Sequence, residues 1–555
     1  MKIKVNDTVI ELYNGAKVKD AILKYYSQSG KKIPKKVPPV EDRYGNKVAE
    51  DGELTDGNSL FISEKRGKRK SFLKVVSAII AIGVLTSCGT GKKVLTGSQN
   101  EKQAVIFAVN DMHAAIDNFP KLAYIVDSLK VIYPDLLLVA AGDNQTGNPV
   151  NDQYPEKGLP MIELMNAVGF NLSAVGNHEF DSRQDGFSNL THKADFGFIC
   201  ANMTIDKSLG LKVTPYKIIT LPNGLKLAFF GLLHINQNGI PDSHPDNVKG
   251  FTFRSPFETA REYMWLKDQS DIFIALTHIG FENDVQLAET MPPGIDLIIG
   301  GHSHTKVEKE QIYNGIMITQ AENKLKYGTL IEITKKSDGT LQRSMELIDI
   351  RKSGKEKPSI RALVDKLNDN PVLKEVIAKA TDDFSSHEEL GYLMADGQRD
   401  AARADIALVN PGGVRIDHLP KGPIRIMDIY QLDPFGNELV VTKLTGNEIH
   451  SLMLAAYSID DKTPVYPSGI RTILRPASDG SLSDIDLLTE NGSHLPMDQT
   501  YSVAMNNYMT QVYKYQHSDP GQSLFITSAD ALIDYLRKIK EVRSYRGEKR
   551  IRINQ

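Results

Sequence analysis

Between Ala104 and Thr305, short motifs of Asp, His and Asn recur, most of them directly after a run of apolar residues. They read Asp111-Met112-His113, Gly142-Asp143-Asn144, Gly176-Asn177-His178-Glu179-Phe180-Asp181, Thr277-His278 and Gly300-Gly301-His302-Ser303-His304. The runs before them, Val105–Val109, Leu136–Ala141, Leu172–Val175, Ile272–Leu276 and Leu297–Ile299, have the length and content of buried strands. Phe198–Cys200, Leu227–Leu232 and Ile316–Thr319 add further strands, and Lys121–Val131 and Leu159–Val168 read as helices between them. Strand, loop and helix in alternation predict a layered α/β domain. In such sheets ligands collect at the carboxyl ends of strands, so Asp111, Asp143, Asn177, His278 and His302 are expected on one rim.

The residue types on that rim specify a chemistry. Asp111 and His113 flank one residue, which lets both side chains point the same way. Carboxylates, imidazoles and an amide together predict a binuclear centre for Zn, Mn, Fe or similar divalent ions. A carboxylate shared by two ions lets them sit about 3.5–4 Å apart, the clamp used for displacement at phosphorus. Each motif alone says little: Gly142-Asp143 is an ordinary turn, and a lone His278 is a polar strand end. The order of all five carries the prediction. Two cysteines, Cys88 and Cys200, exclude a disulfide framework and a thiolate zinc cluster. His234 also follows an apolar run but matches none of the motifs, and a structural role is expected for it.

At 555 residues the chain holds several domains. Residues 1–64 follow a β-β-α-β pattern and resemble a small α+β, β-grasp-like domain. Residues 65–89 combine the basic run Lys65–Lys70 with the apolar stretch Val75–Cys88, too short for the roughly 20 residues of a spanning helix. A basic flank, a short apolar core and a small-residue exit describe an export signal. Its end, Leu85-Thr86-Ser87-Cys88-Gly89, resembles a lipobox, so an exported protein anchored to the membrane through this segment or a lipid on Cys88 is expected, and either residues 1–64 stay in the cytoplasm or the true start lies downstream of them. Residues 90–103 are a polar tether, 104–354 the metal-motif domain, 355–381 a helical connector and 382–555 a second α/β domain. The net charge of −3 points away from a nucleic-acid partner; residues 1–74 carry 17 Lys/Arg against 10 Asp/Glu, which leaves −10 on the remainder.

The motif order D-x-H, G-D, G-N-H-E, H and G-H-x-H is similar to that of the calcineurin-like metallophosphoesterases. With Asn410-Pro411-Gly412-Gly413-Val414-Arg415 and Asp433-Pro434-Phe435-Gly436-Asn437, residues 101–555 resemble the bacterial 5′-nucleotidase / UDP-sugar hydrolase family. The resemblance implies a four-layer sandwich followed by a substrate-binding domain. It implies that Asp111, His113, Asp143 and His304 hold one metal ion, and that Asp143, Asn177, His278 and His302 hold the other. His178 would stabilise the transition state or protonate the leaving oxygen, with Asp181 orienting its ring. Asn410 and Arg415 would meet phosphate, and Phe435 and Tyr508 would stack on a base.

Two family features are missing. Ser386 stands where the family has an arginine before its Leu-Gly-Asn-Leu motif (here Leu390-Gly391-Tyr392-Leu393), and no Gly-Gly-Asp follows Tyr508. The expected function is phosphate monoester hydrolysis, on nucleotides first. Hydrolysis of a non-nucleoside phosphate ester and a non-catalytic surface ligand-binding protein are the alternatives.

Overall fold

The computed structural model describes residues 1–12, 16–29, 34, 37–62 and 101–553, apart from residues 153, 238, 244, 370, 460–462, 478–481, 514 and 520. The basic run, the apolar stretch with Cys88 and most of the 90–103 tether lie outside the described residues.

All eight apolar runs are strands, and they divide between two sheets. The seven-stranded sheet runs Val213–Thr214, Gly197–Ile199, Leu172–Ala174, Leu137–Ala140, Lys102–Val109, Tyr327–Lys335 and Leu341–Asp349. Its first five strands are parallel, and the last two form an antiparallel hairpin against Lys102–Val109. The six-stranded sheet runs Tyr216–Thr220, Lys226–Leu233, Ile272–His278, Leu297–Ile299, Ile316–Thr319 and Gln311–Tyr313, parallel through its middle four.

These strands are apolar on both faces because both faces are covered. Ile106, Ala108, Val139 and Ala174 of one sheet pack against Leu227, Phe229, Ile274 and Leu276 of the other. The outer face of the first sheet is covered by helix Phe119–Ile132, which buries Phe119, Leu122, Ala123 and Val126 at i, i+3, i+4 and i+7, and by helix Leu159–Val168. Helices Pro256–Glu262 and Phe281–Thr290 cover the second sheet. The result is helix, sheet, sheet, helix, the expected four layers.

The connector is only partly helical. Helix Pro358–Asn368 packs on Phe119–Ile132, a short turn Pro371–Lys374 follows, and Val376–Ala380 is a strand of the C-terminal unit, paired with Gly422–Arg425 and Glu541–Val542. Pro371 breaks the helical run, and the apolar Val376-Ile377-Ala378 suits an extended chain. The C-terminal unit centres on a five-stranded sheet, Tyr466–Ser468, Ile406–Val409, Thr500–Asn506, Glu438–Thr445 and Gln522–Thr527, with helix His387–Ala402 packed on it.

The N-terminal unit pairs Lys2–Val5 with Thr8–Glu11 and Ser59–Ile62, places Val40–Asp42 and Lys47–Val48 beyond them, and carries helix Val18–Gln28. Ile3, Val5, Ile10, Val18, Ala21, Ile22, Val40 and Leu60 form its own core. Its sheet has a sixth strand from elsewhere: Thr305–Lys306, directly after the His302-Ser303-His304 motif, pairs antiparallel with Lys47–Val48.

Candidate metal centre

All five motifs meet on one rim, at the carboxyl ends of the parallel strands. The chain leaves the strands by unusual backbone turns. Asp111, His113, Asp143, His302 and His304 all have positive φ, between 44° and 82°, where Asp and His are tolerated better than most side chains but still carry a penalty. The turns brace one another: the amides of Asp111 and His113 donate to the carbonyls of Gly142 and Asp143, both at 3.0 Å, and Lys324 N donates to Asp111 O at 2.7 Å. Gly176 must be glycine, because a Cβ there would overlap Asp143 Oδ1. The buried Glu179 carboxylate ties two of the motifs together, accepting from the amides of Asp143 (3.0 Å), Asn144 (2.8 Å) and Gly176 (2.6 Å).

The ligand atoms fall into two neighbouring groups. In the first, His113 Nε2 and His304 Nε2 are 3.0 Å apart and His304 Nε2 is 3.5 Å from Asp111 Oδ1. In the second, His278 Nε2 lies 3.1 Å from Asp143 Oδ2, and His302 Nδ1 lies 3.2 Å from Asn177 Oδ1. Asp143 Oδ2 is also 4.0 Å from His113 Nε2, and Asp111 Oδ1 is 3.9 Å from His278 Nε2, so the groups adjoin through their carboxylates. Metal bonds of about 2.0–2.2 Å put neighbouring ligands roughly 2.8–3.6 Å apart, and the separations within each group, 3.0–3.5 Å, fall in that range. The outer ring nitrogens are engaged elsewhere: His278 Nδ1 faces Ala141 O at 2.7 Å and His113 Nδ1 faces Thr146 O at 3.1 Å, which points the Nε2 lone pairs inward.

Two further observations fit divalent cations. Asp143 Oδ2 and His278 Nε2 are buried and meet at 3.1 Å, and His302 Nε2 is buried with no hydrogen-bond partner, as expected of atoms placed to take a ligand. Burial alone would lower His278, but the Asp143 carboxylate outweighs it and raises the imidazole to about 10. Burial is likewise outweighed at His304, which Asp111 raises to about 9. The carboxylates thus make this a site of negative potential, as a cation requires.

His178 stands beside this cluster. Its Nδ1 is 2.7 Å from Asp181 Oδ2, which also accepts from Thr146 Oγ1 at 2.7 Å, and its amide donates to Asp143 Oδ1 at 2.9 Å. Burial disfavours the imidazolium, yet Asp143 and Asp181 together hold His178 well above its ordinary range.

Sequence reasoning missed several neighbours. Glu53 and Asp51, from the N-terminal unit, reach the cluster: Glu53 Oε1 is 3.3 Å from His178 Nε2, and Asp51 Oδ1 is 3.2 Å from His304 Nδ1. Nothing in an acidic loop more than 100 residues upstream signals that contact. Asn110 adjoins a motif and Glu179 lies inside one, so both could have been found there; Asn110 Nδ2 donates to Asp111 Oδ2 at 2.6 Å. His234, expected to be structural, has its ring 4.9 Å from that of His302, with Nε2 3.9 Å from Asp242, and these three form a further ligand-like group.

The C-terminal residues are arranged differently. Asn410 is buried and accepts from Asn506 Nδ2 at 2.9 Å. The Arg415 guanidinium lies 5.3 Å from the centre of the Phe435 ring, and Phe435 is exposed. The Tyr508 ring meets Tyr513 edge-on at 6.4 Å. Ser386 caps helix His387–Ala402, accepting from Glu389 N at 3.2 Å. Lys17 of the N-terminal unit is pushed down to about 8, by burial first and then by Arg415; Glu53 and Asp51 act on it in the opposite sense.

Comparison with known proteins agrees with this architecture. Residues 104–306 match the family model for calcineurin-like phosphoesterases, and residues 373–514 that for the 5′-nucleotidase C-terminal domain. An endonuclease of Bacillus subtilis is 28% identical over 524 residues, 83% of this chain and 42% of its own length. A 5′-nucleotidase of Vibrio cholerae is 25% identical over 515 residues, 80% of this chain and 90% of its own. The chain thus spans less than half the length of the first relative and most of the second. The crystal structure of a 5′-nucleotidase precursor from Thermus thermophilus shares the fold, with a TM-score of 0.65 at 24% identity over 81% of this chain and 99% of that one. Residues 104–306 therefore belong to the calcineurin-like phosphoesterases, and residues 373–514 to the 5′-nucleotidase C-terminal domains.

Proposed function

We propose that this chain hydrolyses phosphate monoesters at a centre for two divalent cations, with nucleoside 5′-monophosphates as the first substrate class. The observation that carries this reading is the buried convergence of Asp111, His113, Asp143, Asn177, His278, His302 and His304 beside an oriented His178–Asp181 pair. Asp111, His113, Asp143 and His304 would hold one cation, and Asp143, Asn177, His278 and His302 the other. Zinc, manganese, iron or a similar pair would supply Lewis acidity toward the phosphoryl group. The chain's own work is then to position and to move a proton. Asp181 fixes the His178 tautomer and leaves Nε2 facing the rim, where it can protonate the departing ester oxygen. Arg415 is suited to pair with phosphate, and Phe435 and Tyr508 to stack on a base.

A second reading, a non-nucleoside phosphate ester, is favoured by Ser386. Its hydroxyl serves a helix end where the family has a phosphate-facing arginine. The oriented His178–Asp181 pair weighs against a protein that only binds. A panel of nucleoside monophosphates, a UDP-sugar, 2′,3′-cyclic nucleotides and an aryl phosphate, with Mn or Zn, tests the proposal on the full chain and on residues 101–555. Turnover of no ester by either protein refutes it, and equal turnover of AMP and the aryl phosphate favours the second reading.

For location, we propose export and a lipid anchor on Cys88, supported by the basic flank and lipobox-like end. Among the described residues no helix is long and apolar enough to cross a membrane.

A further inference from the structure

The N-terminal unit docks beside the metal centre, with Arg43 and the Ser59 amide on Glu282 at 2.7 and 2.9 Å, and one loop of it reaches into the site. Its edge strand Lys47–Val48 pairs with Thr305–Lys306, Ala49 N donates to His304 O at 3.3 Å, and Glu53 N donates to His302 O at 3.2 Å. Gly52 lies against the Ser303 carbonyl so closely that a Cβ would overlap it. This backbone clamp delivers one side chain into the site. The Glu53 carboxylate is buried, with Oε1 3.3 Å from His178 Nε2 and Oε2 3.3 Å from Asn177 Nδ2 and 3.4 Å from His302 Nδ1. Asp51 locks the loop from the other end, with Oδ1 2.9 Å from Asn323 Nδ2 and Oδ2 2.8 Å from Lys324 Nζ. Beyond the metal centre, Lys17, whose backbone bridges that of Glu53, lies within range of Arg415 in the C-terminal domain.

The groups that Glu53 touches are two candidate ligands and the candidate general acid. A substrate phosphate would have to enter the same space, in front of the cations that Asn177 and His302 would help to hold and beside His178, and a carboxylate offers two oxygens with the same charge sign. We propose that residues 49–55 are a built-in competitor for the substrate's phosphate, with Glu53 standing in for the phosphoryl group. This rests on the phosphohydrolase reading. A tethered competitor acts at a high effective concentration, and a ligand's apparent affinity falls by the fraction of molecules whose site is open. The docked state holds the site closed, and substrate must displace the loop.

The test uses the full chain loaded with Mn and inorganic phosphate as the probe. Hydrogen exchange should show the Ala49 and Glu53 amides protected, and saturating phosphate should release them. In calorimetric titrations, Glu53→Ala should bind phosphate about tenfold more tightly than the parent, with Mn affinity unchanged. Gly52→Val, which pushes the loop off Ser303 without touching Glu53, should do the same. Weaker Mn binding by Glu53→Ala would make Glu53 a resident ligand and overturn the proposal, as would unchanged phosphate affinity in both variants or protection that phosphate does not disturb. Because binding and exchange need no turnover, loop release and tighter phosphate binding without hydrolysis of any ester would refute the enzyme reading and leave the competitor standing.

Discussion

Replacing His178 with Asn should separate proton transfer from metal binding. The ring is held at Nδ1 by Asp181 at 2.7 Å, and Asp181 is itself held by Thr146, so Nε2 has a fixed direction. Asn fills most of the space and cannot deliver a proton. A positioned general acid contributes about 10²- to 10⁴-fold, so kcat on AMP should fall by about 10³, or roughly 4 kcal/mol of transition-state stabilisation. An alkoxide leaves poorly without a proton, while a nitrophenolate leaves well. The loss on p-nitrophenyl phosphate should therefore be much smaller, on the order of tenfold. The assay is kcat at saturating substrate for both esters, with Mn content measured on the same samples. Equal losses on the two esters would mean that His178 positions the phosphate and does not protonate the leaving group. Undiminished activity would refute the mechanism, and lost Mn would move His178 into the ligand set.

Asp181→Asn should cost less, about 10- to 100-fold in kcat, because the imidazole remains but its orientation and raised basicity are lost; pH–rate profiles of the two proteins check this. Phe435→Ala should raise KM for AMP by about tenfold through lost base stacking, and leave KM for the aryl phosphate nearly unchanged. Asp396→Ala should destabilise the C-terminal domain by about 2 kcal/mol, because it removes the two charge-assisted bonds that hold the mostly buried Arg550 at 2.6 and 2.9 Å and leaves it Glu548 at 2.8 Å; calorimetry should show a transition roughly 4–8 °C lower. Burial alone would raise Asp396, but Arg550 outweighs it and holds the carboxyl below its ordinary range. The contribution is therefore complete above that range, is lost as pH falls through the folded-state value, and should vanish from the acid side of the variant's stability profile. Cys88→Ala should abolish lipid labelling in cells, and labelling that persists would refute the lipobox reading.

The strands and the clustering of the Asp, His and Asn motifs were legible because each signal is local. Val105–Val109 and Leu136–Ala141 are apolar on both faces, and the polar motif that ends each run marks the rim. Val376–Ala380 was misread because its charged helical neighbour Pro358–Asn368 set the period for the whole connector. Ser386 reads as a missing arginine in sequence and as a helix cap in space, a role that needs only a hydroxyl and an amide three residues on. Glu53 could not be read at all: its partners His178 and His302 are 125 and 249 positions away, and an isolated acidic loop has no period to betray a contact. The same docking bears on location. If residues 75–88 carried the rest of the chain across a membrane and left residues 1–64 behind, Lys47–Val48 could not pair with Thr305–Lys306. A split chain and the docked structure exclude each other, so one molecule can hold only one of these states at a time.

The positive φ values explain why this centre needs so large a scaffold. Asp111, His113, Asp143, His302 and His304 each sit in a region that costs a non-glycine residue about 1 kcal/mol or more. Together that is about 5 kcal/mol, comparable with the whole net stability of an ordinary domain. Local preferences cannot sustain it, and the turns would relax if the strands beneath them could shift. They cannot, because Ile106, Val139 and Ala174 are fixed between two sheets and each turn donates hydrogen bonds into the next. The candidate ligands are thereby held together by the fold itself, with Asp143 Oδ2 and His278 Nε2 buried 3.1 Å apart. Substitutions in the inter-sheet core that loosen this packing, such as Val139→Ala, should therefore weaken metal binding as well as stability, although Val139 touches no ligand atom directly in the mechanism proposed.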